Sequence, residues 1–326
     1  MVFGHVIGPN PHMGMRQPEG SLWHMINTVL MPIRMPLFAA ISGYIFAMSR
    51  KDHPIGSVIT RKAHRLLLPL LCVGFLHRVF LAWIAELNWS FQDYFVHLYL
   101  SFSQFWFLHA MFFIFVVVMF WRKLASDSQV HFWLLFSGSI LMFLWAPTHF
   151  NIMSFSQTIS IFPGFLLGYG FYRFQWGAQR FLVASTAILC LGLYMLHHTS
   201  LVTLPYTALM LTKVLAGLGA AYSALGLKFY FRPLAKLGDY SFGIFLFHYI
   251  VLLSLERIIK VPEAGLIFYA VVVTSLAVLV PVFIEKAIRP QPALAFFLLG
   301  RGKISTSGDL ASHISRTFSG SFRLLG

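Results

Sequence analysis

The stretch Ala264–Glu285, AGLIFYAVVVTSLAVLVPVFIE, decides the fold class. It holds no Lys, Arg or Asp, and its single acid is its last residue. As a helix it rises about 33 Å at 1.5 Å per residue, enough to cross the hydrocarbon core of a bilayer. Upstream, apolar runs of similar length recur near 26–48, 64–86, 104–121, 130–146, 154–173, 181–197, 203–227 and 239–256. Together these predict nine complete spans. Residues 1–8, MVFGHVIG, make a tenth run too short to cross, and the expectation is a helix whose first half lies before Met1. The expected fold class is therefore all-α, a polytopic membrane helical bundle. A membrane domain occupies 1–287, and 288–326, with its Gly, Ser and scattered basic residues, is expected to be a flexible tail.

Composition agrees. Of 326 residues, 58% are hydrophobic and only 10% charged, with a mean hydropathy of +0.75, too little charge for the surface of a soluble chain of this length. The net charge of +14 does not signal nucleic acid, because no basic run sits on a soluble domain. Cys72 and Cys190 fall in apolar stretches without CxxC spacing, which reads as two buried thiols. No metal site and no bound cofactor is implied.

The loops carry orientation. Arg50, Lys51, Arg61, Lys62, Arg65, Arg122, Lys123, Arg173, Arg180, Lys228, Arg232, Lys236 and the six Lys and Arg beyond 285 fall on one side. Arg16, Arg257 and Lys260 fall on the other. Cytoplasmic loops carry the excess of Lys and Arg, so the first side is expected to face the cytoplasm. The chain is then a multi-pass protein of the cell (inner or plasma) membrane, with its C-terminal tail cytoplasmic.

Ionisable groups inside the spans need an explanation, since each costs at least about 2.5–3.5 kcal/mol near the bilayer centre. Arg34 lies about 12 Å below the outer end of its helix, and Arg78, beside His77, is in the outer half of the next. His109, Lys213 and His248 are also within spans, and His5 is in the partial first helix. For His77 and His109 a backbone carbonyl partner is a sufficient account, and Lys213 can snorkel. Arg34 and Arg78 have no acid at comparable depth, which points to a polar cavity in the outer half of the bundle. Gly164, Gly168, Gly170, Gly217 and Gly219 read as close-packing positions. The aromatic stretch 88–104 reads as an interfacial helix.

Four segments in order give the chain a resemblance to a known family. Arg34-Met-Pro-Leu-Phe-Ala-Ala-Ile-Ser-Gly-Tyr44, Arg61-Lys-Ala-His-Arg65-Leu-Leu-Leu-Pro69, Phe105-Trp-Phe-Leu-His109 and Leu237-Gly-Asp-Tyr-Ser-Phe-Gly-Ile-Phe-Leu-Phe-His248 are similar to elements of the membrane-bound acyltransferase 3 family, in particular its fucose 4-O-acetylase-like branch. Each is weak alone; their order over almost the whole chain carries the likeness. It implies transfer of an acyl group, usually acetyl from acetyl-CoA, to a hydroxyl of a sugar or cell-envelope glycan. It also implies a first-helix arginine followed after ten residues by a histidine. His5 fits the histidine, and the arginine would precede Met1.

Chemistry is consistent with that implication. A hydroxyl attacks a thioester well only when a base takes its proton, and an imidazole suits the task, which makes His5 the catalytic candidate. Arg34 and Arg78 are candidates for an oxyanion or for donor phosphates, and Arg61 and Arg65, at the cytoplasmic mouth, for the phosphates of cytosolic acyl-CoA. Positive-inside topology alone is an equal account of the last two. Trp106 and His248 complete the substrate or acyl-donor binding set. The expected partners are acyl-CoA, the glycan acceptor and the bilayer. The competing expectation is a transporter of an anionic or lipid-linked sugar, which would call for paired broken helices in two related halves; Pro32 and Pro36 have no counterpart in the other half. A non-catalytic envelope scaffold is the third expectation, favoured if the first-helix arginine is absent.

Overall fold

The computed structural model describes residues 1–8, 13–49, 54–85, 90–100, 103–125, 128–145, 152–176, 180–227, 231–262 and 264–302. These form thirteen helices: α1 (Val2–Ile7), α2 (Leu22–Met48), α3 (Ile55–Ala85), α4 (Phe91–Leu100), α5 (Trp106–Leu124), α6 (Gln129–Trp145), α7 (Phe155–Arg173), α8 (Arg180–His198), α9 (Tyr206–Gly226), α10 (Arg232–Gly238), α11 (Ser241–Ile258), α12 (Leu266–Ile288) and α13 (Pro292–Leu299). The all-α class holds, with no strand among the described residues.

The expected count of nine spans is not confirmed. Seven helices among the described residues are long and apolar enough to cross a membrane. The two that fall short do so for different reasons. α6 is apolar but has 17 residues. α7 has the length, but Ser156, Gln157, Thr158 and Ser160 dilute its hydropathy. It tolerates them because it lies inside the bundle, against α2, α5, α6 and α9, with Pro163–Gly170 buried without a break. A helix shielded from lipid need not be apolar all round. Elsewhere the outward faces are apolar, as at Phe181, Trp145, Phe268 and Ile267, which suits a surface meeting acyl chains rather than water.

Glycines set how closely the central helices approach. A Cβ on Gly43 or Gly168 would collide with the backbone carbonyls of Phe165 and Ala40 respectively, and one on Gly164 would lie 2.8 Å from the Pro36 oxygen. Gly217 of α9 meets Pro32 in the same way. α2 is therefore held backbone to backbone against α7 and α9, the small-residue packing that works where lipid removes the hydrophobic drive between helices. It runs unbroken through Pro32 and Pro36, so the interruption expected of a transporter helix is absent there.

Two peripheral elements matter for the site. α4, in the stretch read as interfacial, exposes Phe95, Val96 and Tyr99 while Tyr94 is buried and donates its hydroxyl to the Leu71 carbonyl of α3. Where the sequence suggests a flexible tail from 288, the chain instead forms α13, apolar and started by Pro292. It packs on α3, with Gly300 against the His64 carbonyl and Arg65. Residues 303–326 lie outside the described residues.

Candidate active site

α1 is only six residues long, and its place is fixed by the chain that follows it. The Met15 N–H donates to the carbonyls of Val6 and Ile7, and Asn27 of α2 donates its amide to the Gly8 carbonyl at 2.9 Å. The orphan carbonyls of the helix end are thereby satisfied, and the α1 backbone at Gly4 is pressed onto the Arg34 guanidinium. His5 is thus held beside Arg34 in a cavity of about 500 Å³ that Trp106, Gln104 and Tyr249 also line.

Behind His5 stands His248, fully buried, with the two rings 5.3 Å apart. Nδ1 of His248 is 2.9 Å from the carbonyls of both Ile244 and Phe245. Carbonyl oxygens only accept, so the proton of the neutral ring is on Nδ1, and Nε2 keeps its lone pair. That Nε2 has no hydrogen-bond partner among the described residues. The same is true of Gln104 Nε2, whose residue lines the cavity. Arg34 has one long contact, 3.4 Å to Asn27 Oδ1. Buried polar atoms are nearly always paired, so unmet atoms gathered around a cavity mark a place built to receive a polar molecule.

A second cavity, of about 690 Å³, opens at the other end of the bundle, where Ser49 closes α2 and Ser241 begins α11. Arg61, Lys62 and Arg65 line it. The Lys62 ammonium sits 3.9 Å over the Phe115 ring and the Arg65 guanidinium 4.3 Å over Phe242, with Arg65 also donating to the Leu299 carbonyl of α13 at 2.8 Å. Lys62 and Arg65 are thus held over aromatic faces, while exposed Arg61 donates to the Ser57 carbonyl of its own helix at 3.3 Å. Phe245 lines both cavities. A third cavity, about 710 Å³ between α6, α7, α8 and α9, is lined mainly by aromatic and aliphatic groups with Gln175 and Thr186, and by no histidine or charged side chain.

A family model for an acyltransferase domain, that of acyltransferase 3, matches residues 1–286. The chain belongs to the acyltransferase 3 family. No curated protein and no solved structure matches it. Family and helix pattern together make the protein a multi-pass membrane acyltransferase.

In this acyltransferase the residues singled out from sequence divide between the two ends. His5, Arg34 and Trp106 meet in one cavity, with His248 packed behind, and Arg61 and Arg65 line the other. Arg78 joins neither; it is half-buried on α3 beside His77, its Nε without a hydrogen-bond partner among the described residues. His109 lies near Ser154, Nδ1 to Oγ 3.4 Å. Sequence reasoning passed over Lys62, Gln104, Tyr249 and Glu285. The first was legible in the Arg61-Lys-Ala-His-Arg65 run; the others carry no local signal.

Glu285 is the acid that sequence reading did not find inside the bundle. Fully buried, it accepts the Gly243 N–H at 2.9 Å and pairs with Arg289 at 2.9 Å and Arg301 at 3.3 Å. Gly243 lies in the first turn of α11, so the carboxylate satisfies an orphan donor there, and a Cβ on Gly243 would strike it. It therefore ties α12, α11 and the chain after α13 together around Arg65. Glu285→Gln is expected to weaken charge-assisted bonds contributing about 1.5–3 kcal/mol and to lower the thermal midpoint of the detergent-solubilised protein, as followed by size-exclusion after heating. An unchanged midpoint would mean that the network contributes nothing.

Proposed function

We propose that the protein moves an acyl group, acetyl in the family's usual chemistry, from acyl-CoA to a hydroxyl of a sugar or cell-envelope glycan. The observation that carries this reading is the pair of cavities: a cationic one and one lined by half-buried His5 with His248 packed behind it, with Phe245 in the wall of each. The cationic cavity suits the donor. Arg61, Lys62 and Arg65 offer phosphate ligands, and the excess of Lys and Arg at that end matches a cytoplasmic face, where CoA thioesters are found. The other cavity suits the acceptor, and the resemblance to the fucose 4-O-acetylase-like branch favours a sugar hydroxyl. No bound cofactor is needed; acyl-CoA is a co-substrate.

In the transfer, His5 takes the proton of the acceptor hydroxyl as its oxygen attacks the thioester carbonyl. Arg34 donates to the oxyanion of the tetrahedral intermediate. Collapse breaks the C–S bond, and the departing CoA thiolate receives the proton from the His5 imidazolium. His248 supports the ring of His5 and offers a second lone pair for the shared proton.

The test is transfer from radiolabelled acetyl-CoA to envelope glycans in membranes containing the protein. Labelled glycan supports the reading; movement of intact label-free sugar across the bilayer with no transfer would replace it with transport. Arg65→Ala is expected to raise the donor KM about tenfold or more, the worth of one charge-assisted contact, with kcat within about twofold. A fall in kcat at unchanged KM would remove Arg65 from the donor site.

A further inference from the structure

The two cavities approach each other but are separated by aromatic rings. On α2, Met35 lines the histidine cavity and Phe38, one turn on, lines the cationic one. On α5 the division falls between adjacent residues, Trp106 on one side and Phe107 on the other. On α11 it falls at Phe245, which faces both. Phe38 stands edge-on to Phe107 at 6.1 Å, perpendicular, and Phe107 lies 5.6 Å from Phe245. Phe107 and Phe245 are 7% and 4% exposed, and Phe38 is half-buried. Three helices therefore each contribute one ring to a single septum.

The septum lies on the path that the proposed reaction requires. Along α2, Ser49 at the cationic mouth is fifteen residues from Arg34, about 22 Å, and Phe38 stands about 6 Å short of Arg34. A donor whose phosphates rest on Arg61 and Arg65 reaches His5 only if the narrow end of its thiol arm, carrying the acyl group, enters where these rings meet. Phenyl rings held by edge-to-face contacts can turn about χ2 without leaving their positions, whereas a wider or longer group needs them displaced.

We propose that Phe38, Phe107 and Phe245 form the specificity element of the transfer: a closed aromatic septum that admits a short acyl thioester from the cationic cavity, sets the length of acyl group delivered, and otherwise seals the two cavities from each other. This rests on the reading of the protein as an acyl-CoA-dependent transferase.

The septum can be tested without catalysis. With Cys72 and Cys190 replaced by serine, Met35→Cys puts one thiol on the histidine side of the rings. A membrane-impermeant sulfonated thiosulfonate is then applied from either side of oriented vesicles. Labelling is expected from the histidine side only, and from both sides once Phe107→Ala and Phe245→Ala are combined; retained histidine-side labelling reports that the variant is folded. If the double variant does not fold, Phe245→Leu alone is expected to raise labelling from the cationic side at least several-fold. Labelling from both sides with all three rings present, or from one side in every folded variant, would overturn the septum. Acetyl-, butyryl- and hexanoyl-CoA then compete as donors. The ring-removed variant is expected to shift the hexanoyl-to-acetyl product ratio at least tenfold toward the longer chain, and an unchanged ratio would overturn the specificity role. Labelling as expected with no transfer by any form would leave the septum standing and sink the acyltransferase chemistry instead.

Discussion

His5→Ala is expected to lower acyl transfer by about 10²–10⁴-fold, the range for loss of a positioned general base, while the protein stays folded and membrane-inserted. The chain around His5 is held by main-chain bonds, Met15 to Val6 and Ile7, and by Asn27 to Gly8, none of which involves the imidazole. The loss is therefore in the chemical step, and donor KM is expected to change little. Rate as a function of pH separates this from a structural effect. The base must be unprotonated to act, so the parent rate falls on the acid side, and that limb is expected to disappear from whatever activity remains in His5→Ala. His248→Ala is expected to cost less, about tenfold, because His248 reaches the hydroxyl only through the neighbouring ring, 5.3 Å away between centroids. Equal activity of His5→Ala and the parent would remove His5 from catalysis.

Gly168→Val is expected to have the largest effect on stability, about 3 kcal/mol or more, the upper end for overpacking a close-packed core. The added atoms have nowhere to go: the site of a Cβ is already occupied by the Ala40 carbonyl, which is backbone and cannot rotate aside. α2 and α7 must separate, and the neighbouring contacts at Gly43 and Gly164 are lost with them. The readout is the fraction of monodisperse protein after extraction and mild heating. Gly138→Ala is the control, because nothing lies within 4 Å of its added Cβ, and it is expected to be neutral. If Gly168→Val extracts and heats like Gly138→Ala, then the close approach of α2 and α7 does not hold the bundle together.

What could be read without coordinates was whatever depends on averages along the chain. Runs such as Ala264–Glu285 require a bilayer whatever their neighbours are. The motif around Met35–Tyr44 and the match over residues 1–286 give the family. Gly164 and Gly168 could be marked as packing positions, though not as partners of Pro36 and Ala40.

Tertiary structure decided which residues meet. His5 and His248 are 243 residues apart and their rings meet only because α1 lodges beside α11. Lys62 and Phe115 meet across α3 and α5, and Glu285 turns inward beneath Gly243 instead of ending its span at the surface. The physical reason is that helix rotation is silent in such sequences. A soluble helix announces its inner face by polarity, whereas a membrane helix is apolar toward lipid and core alike. The aromatic septum is for that reason indistinguishable from lipid-facing phenylalanine until the helices are placed around it.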